Sequence, residues 1–255
     1  MKDKAVLLLE KDKKCIVDCL CNAIGDDLKE SLRVSRISDR YSNSKKFLKW
    51  DIINRNFVDN FVGKDIVADY ANRGAWHMVP LVDKANGCIY SVMREERFRE
   101  LQKKQTKRRK AHYIDAFTQS FNFDLNQGRQ ISFFGNDCFD NEEVSNIVDS
   151  IMKSINVDKG IITRHALVLF EEYHSEIVSV RCCILDSSLN IVESEEWSQF
   201  IIHNESVIVD NSDELEVGEM LNKPIGLKKK AKDRAGRKEN VQTKKRTEIN
   251  ENKTV

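Results

Sequence analysis

The sequence predicts an α+β fold, and three observations carry that reading. Apolar residues recur at spacings of three and four in several stretches, which places them on one face of a helix. Asn86 and Gly87 stand between two apolar runs, a strong hairpin signal because both residues tolerate positive φ. In the second half, the apolar runs 165–173 and 176–185 adjoin with only two residues between them, as paired antiparallel strands do.

The first predicted helix covers 13–32, with Val17, Leu20, Cys21, Ile24 and Leu28 on one face despite Gly25. A polar segment, 33–46, reads as a linker or loop. Trp50, Ile53, Phe57 and Phe61 then predict a second helix over 48–61, with Trp50, Ile53 and Phe57 in the main core. The hairpin strands are 76–82 and 88–93, and Asp83, at the start of the turn, reads as an exposed carboxylate. Strong helix formers with almost no breakers predict one helix from Arg94 to about Phe121. Further on, 131–134 reads as a strand, and Val144, Ile147, Val148, Ile151 and Ile155 trace one helix face behind an acidic start. Ile191 and Val192 extend the C-terminal strands into an antiparallel meander, closed by a short helix at Trp197, Phe200 and Ile201.

These elements suggest an N-terminal helix and linker (1–46), an α+β globular body (47–208) with a candidate subdomain division near 125, and a disordered basic tail (209–255). Apolar residues make up 40% and charged residues 33%, low and high for a globular chain, so part of the sequence is expected to stay solvated. The net charge of +1 hides an asymmetry. Residues 223–255 hold 12 Lys and Arg against 4 Asp and Glu, whereas residues 1–222 hold 30 against 37. No apolar run is long enough to span a bilayer or form a signal-peptide core, so the expected location is cytoplasmic, without membrane association. The 7 cysteines, an odd number, read as reduced thiols of an intracellular protein.

The sequence carries no phosphate-cradling glycine loop, no nucleophile elbow, no HExxH helix and no CxxC pair. It calls for no metal and no cofactor. The informative stretch is 94–121, where nine Arg and Lys between Arg94 and Lys110 face three acids, Glu95, Glu96 and Glu100. Lys103, Lys104, Lys107, Arg108, Arg109 and Lys110 are candidate phosphate contacts, because clustered cations supply sequence-independent affinity for nucleic acid. A solvated helix face, with Glu96 and Glu100 pairing to Arg99, Lys103 and Lys104, is the competing reading. His112 and Asp115, three residues apart, share a helix face on which the carboxylate can fix an imidazole tautomer for proton transfer; a surface pair without chemistry is the competing reading. With Asp51 they are the candidate catalytic residues, and Asn54, Arg94, Arg97 and Tyr113 complete a candidate site.

Three strings, Lys49-Trp50-Asp51-Ile52-Ile53-Asn54, Met93-Arg94-Glu95-Glu96-Arg97-Phe98 and Arg108-Arg109-Lys110-Ala111-His112-Tyr113-Ile114-Asp115-Ala116, resemble those of a family of uncharacterised bacterial proteins. The resemblance covers about 47–121 and continues more loosely to Trp197. It implies bacterial origin and a shared fold, and brings no activity or site with it. Three functional readings remain open at this point. One is an interaction protein that engages nucleic acid through a basic helix and the tail. Another is an enzyme acting on nucleic acid, for which convergence of the candidate residues in one pocket is the requirement. The third is a protein-binding module of a defence or toxin–antitoxin pair. The sequence sets no oligomeric state.

Overall fold

The computed structural model describes residues 8–36, 43–63, 65–73, 76–125 and 139–202. The strand expected at 131–134 and the tail expected from 209 lie outside these residues.

Helix α1 (Glu10–Ile24) buries Ile16, Val17, Leu20, Ala23 and Ile24, and α2 (Asp26–Val34) buries Leu28 and Leu32. The single helix predicted over 13–32 is therefore two helices. The chain turns at Gly25, whose φ is −85° and ψ −105° and whose N–H still reaches the Cys21 carbonyl. A Cβ here would lie 3.0 Å from that oxygen, a crowded contact that glycine avoids. Helix α3 (Lys45–Phe61) follows and buries Ile52, Ile53, Phe57 and Phe61, with Trp50 partly buried against the same core.

Among the described residues there are eight strands: β1 (Ile66–Ala68), β2 (Ala71–Arg73), β3 (Trp76–Met78), β4 (Leu81–Asp83), β5 (Cys88–Arg94), β6 (Arg164–Tyr173), β7 (Glu176–Leu185) and β8 (Ile191–Glu196). Six form one sheet in the order β1-β4-β5-β6-β7-β8, while β2 and β3 form a separate two-stranded ribbon. All neighbours in the large sheet are antiparallel except β5 and β6, which run parallel in register from Cys88↔Arg164 to Arg94↔Phe170. A parallel pair needs a long crossover. Here it contains α4 (Glu95–Lys104), α5 (Tyr113–Phe121) and α6 (Asn141–Ser154).

The alternation of side chains along the strands divides the core into two layers. Tyr90, Ala166, Val168, Phe170, Cys182 and Ile184 pack with α1, α2 and α3. Ile89, Met93, Leu167, Leu169, Cys183 and Leu185 pack with α4, α5 and α6. With both faces covered, the central strands read as continuous apolar runs rather than alternating ones. Trp197, fully buried, closes the first layer ahead of a short 3-10 turn at Ser198–Phe200. Among the described residues no cysteine is in a disulfide.

Two local expectations need correction. Asp83 is not an exposed turn carboxylate: it is 5% exposed. It accepts from the backbone N–H groups of Ala85 (3.0 Å) and Asn86 (3.1 Å) and from Asn86 Nδ2 (2.6 Å), so it builds the β4–β5 turn. Gly87 completes that turn with φ +62°, and the Ile161 carbonyl lies 2.6 Å from where a Cβ would stand.

The second correction concerns the long basic helix. Residues 94 to 121 are not one helix: α4 ends at Lys104, a 3-10 turn spans Gln105–Lys107, and α5 starts anew at Tyr113. The stretch 102–110 offers no apolar group to hold a helix on the sheet. A new start is built instead at His112, whose Nδ1 accepts from the Ile114 N–H while Asp115 accepts from the His112 N–H, a reciprocal cap.

Candidate functional site

Strand β4 runs alongside only Cys88 to Tyr90 of β5, so the last part of β5 extends beyond it. Around that end lies a cavity of ≈460 Å³. Helix α3 contributes Lys46, Phe47, Trp50, Ile53, Asn54 and Phe57. The β2–β3 ribbon and its exit contribute Trp76, His77, Met78 and Val79; β5 and the start of α4 contribute Val92, Met93, Arg94 and Arg97. His112 and Tyr113 complete the wall from the opposite layer of helices.

The cavity has a flat aromatic mouth. Phe47 and Trp76 stack with ring centroids 5.2 Å apart and planes at 14°, yet they remain 53% and 49% exposed. Rings that leave half their surface in water offer outer faces for another planar group. Trp50, one turn along α3 from Phe47, leans on Phe170 with centroids 5.9 Å apart. Deeper in, Asn54 is 7% exposed and presents an amide that both donates and accepts.

The lining is cationic. Among its described residues it holds Lys46, Arg94 and Arg97 and no carboxylate. Arg94 is fixed from behind: its Nη2 lies 3.2 Å from Glu172 Oε2, and Lys49 bonds to the other oxygen of the same carboxylate. One carboxylate thus serves two cations, and the cluster keeps a net positive charge. Arg94 Nε and Glu172 Oε2 are both buried without a hydrogen-bond partner, although the two side chains adjoin through Nη2. Arg97 is 53% exposed in its side chain and rests 2.9 Å from Glu100. The acids of the first turn of α4 do not cancel this charge. Glu95 turns to the far side, where Arg181 (2.6 Å) and Arg99 (3.1 Å) engage it.

The structure brings together Asn54, Arg94, Arg97, His112 and Tyr113, five of the residues singled out in the sequence. It leaves out Asp51, which is exposed on α3 away from the lining, and Asp115, which is 2% exposed. Asp115 does not serve the imidazole. Both its oxygens meet Arg108, at 2.8 Å for Nη2, and it accepts from the His112 N–H at 2.8 Å. The ring of His112 is oriented by the Ile114 N–H at 3.3 Å, an arrangement that puts the proton of the neutral ring on Nε2.

Of the basic run, Arg108 is turned inward over the Phe139 ring at 5.2 Å. Lys103, Lys104, Lys107, Arg109 and Lys110 are exposed, on the end of α4 and the connection that returns to the cavity at His112. The pairing expected for Glu96 falls to Glu95, and Glu100 pairs with Arg97 rather than with a lysine. Lys46, Phe47, Trp76 and His77 were not legible as site residues. Phe47 and Trp50, three apart, carried the one available signal, two large rings on the helix face that also holds Lys46.

A second cavity, ≈600 Å³, lies beyond Tyr113 and is lined by Asp140, Glu142 and Glu143 with Asn72 and Ala111. It is larger, but its charge is opposite and only Tyr113 among the candidate residues reaches it. Among the described residues no group of three or more His, Cys, Asp and Glu is arranged to hold a metal ion. No helix among them is long and apolar enough to cross a membrane.

The fold is thus that of an α+β protein with helices on both faces of a mixed sheet and an aromatic, cationic cavity at the end of β5. Residues 8–245 match a family described as a family of unknown function (DUF5986), and the chain belongs to it. No curated protein and no solved structure is significantly similar to the chain.

Proposed function

We propose that this protein binds single-stranded nucleic acid, with a base against the exposed Phe47 and Trp76 rings and phosphate on Lys46, Arg94 and Arg97. The observation that carries the reading is the stacked, half-exposed ring pair at the mouth of a cavity that holds three cations and no carboxylate. Base stacking on aromatic side chains contributes about 1 to 3 kcal/mol per base and tolerates any sequence, and cations along the backbone supply the rest. Lys103, Lys104, Lys107, Arg109 and Lys110 add exposed positive charge on the segment that leaves the cavity at Arg94 and returns at His112. The basic stretch 223–255 adds more on an otherwise acidic chain. The test is binding of single-stranded RNA and DNA to the full chain between about 50 and 200 mM salt, where each phosphate neutralised contributes about −0.7 to the log–log slope. Binding absent at low salt would defeat the reading.

A second reading, processing of nucleic acid, is favoured by the convergence of Asn54, Arg94, Arg97, His112 and Tyr113 in one concavity, with His77 beside them. Here the groups available for proton transfer are imidazoles and a phenol, and arginines are available to stabilise charge on phosphate. Fragment formation from a labelled RNA, lost in His112→Ala, is its measurement.

A further inference from the structure

We infer that the unit this cavity recognises is a single nucleotide with a terminal phosphate, a nucleoside monophosphate dianion, rather than a run of internal phosphodiesters. The inference rests on the nucleic-acid reading above and names its ligand. Size is the first argument. A cavity of ≈460 Å³ falls within the roughly 300 to 1,000 Å³ of sites that enclose one small molecule, whereas strand-tracking surfaces engage on the order of 4 to 16 nucleotides.

Charge is the second argument. An internal phosphodiester brings one negative charge and a terminal phosphate brings close to two. The lining has Lys46, Arg94 and Arg97 without a carboxylate, and with Lys49 behind them these four cations are met by two acids, Glu172 at Arg94 and Glu100 at Arg97, a surplus of two. Such a surplus favours the more highly charged group. The planar guanidinium groups of Arg94 and Arg97, both in the lining, suit the oxygens of a phosphate that can approach end-on.

Chemical division within the cavity is the third. Helix α3 presents Phe47, Trp50 and Asn54 in successive turns, a stacking surface followed by an amide that can meet a base edge, while two of the three cations, Arg94 and Arg97, stand at the start of α4 and Lys46 adjoins Phe47 on α3. A nucleotide has the same two ends. The monophosphate can come from a strand terminus or from a free nucleotide, and the chemistry of recognition is shared.

The experiment measures affinity of the full chain at fixed salt for adenosine 5′-monophosphate, adenosine, and a short single-stranded oligonucleotide with a 5′-phosphate, a 3′-phosphate or hydroxyls at both ends. Terminal phosphate is expected to tighten binding by about tenfold or more, and the preference to vanish in Arg94→Gln. Glu172→Gln, which keeps the shape of the cluster behind Arg94, reports whether loss of the preference follows from Arg94 or from its support. Equal affinity for phosphorylated and hydroxyl-ended strands overturns the inference and leaves nucleic-acid binding intact. Binding of the monophosphate without binding of any strand supports it and assigns the free nucleotide as the source. Binding of neither removes both readings.

Discussion

Arg108 spans both carboxylate oxygens of Asp115, with Nη2 at 2.8 Å, although the two residues were expected to face solvent and an imidazole respectively. Asp115 is 2% exposed and Arg108 has 17% of its side chain accessible, so this is a largely buried pair. Removing one partner of such a pair leaves an uncompensated charge. Arg108→Ala should cost on the order of 3 kcal/mol, while Arg109→Ala, one residue on and exposed, should stay within about 0.5 kcal/mol. Urea unfolding of both variants checks this. Equal small losses would show that the basic run is uniformly solvated.

Phe57 is 1% exposed in the core between α3 and the sheet. Phe57→Ala should destabilise the protein by about 3 to 5 kcal/mol through lost burial and the cavity left behind. A shift in urea midpoint equivalent to less than about 0.5 kcal/mol would contradict the packing.

His165 predicts a pH dependence. The ring is fully buried beside Ser91 (3.1 Å) and Phe117, and burial pushes its pKa down from 6.5 to about 3. The unfolded chain takes up this proton near its ordinary value, and the folded chain does not until far lower pH. Stability from this group is therefore complete above about pH 6.5 and falls as pH drops toward 3, by about 1.4 kcal/mol per pH unit. Between about pH 6 and 5, His165→Asn should show a shallower loss of stability with falling pH than the wild type. Identical slopes would mean the imidazole is protonated in the folded state.

Much of this fold was legible because its elements announce themselves locally. The period of Ile53, Phe57 and Phe61 named α3, the runs through Leu167 and Cys183 named β6 and β7, and Asn86-Gly87 named the β4–β5 turn, although the strand expected over 76–82 is two strands, β3 and β4, in different sheets. What was not legible depends on tertiary packing. Gly25 splits a helix whose periodicity runs on across it, and the capping pair His112 and Asp115 restarts a helix inside a stretch of helix-forming residues. The parallel pairing of β5 and β6, seventy-six residues apart at Cys88↔Arg164, leaves no local trace.

The candidate site divides the same way. Arg94, Arg97 and His112 stood out by charge and chemistry, and Asn54 by its motif. Phe47 and Trp76 carried no sign of a site, because exposure of a large ring is decided by what fails to cover it. Asp51 looked equivalent to Asn54, one turn on along the same helix, but Asn54 is buried in the lining whereas Asp51 is exposed outside it.

The central claim is that single-stranded nucleic acid enters the cavity at the end of β5, and the most direct measurement is tryptophan fluorescence of the full chain titrated with a single-stranded oligonucleotide. Trp76 is 49% exposed and Arg97 is 53% exposed in its side chain, so changing both to Ala should leave the unfolding transition within about 0.5 kcal/mol of wild type. Trp197 is fully buried and serves as an internal reference. The account predicts that the wild type is quenched on binding and that Trp76→Ala combined with Arg97→Ala loses at least about tenfold in affinity, the loss of one stacked base and one cation, read from the remaining lining tryptophan, Trp50. An unaltered affinity in the double variant, with the rest of the chain still binding, would place the nucleic acid elsewhere and contradict the account.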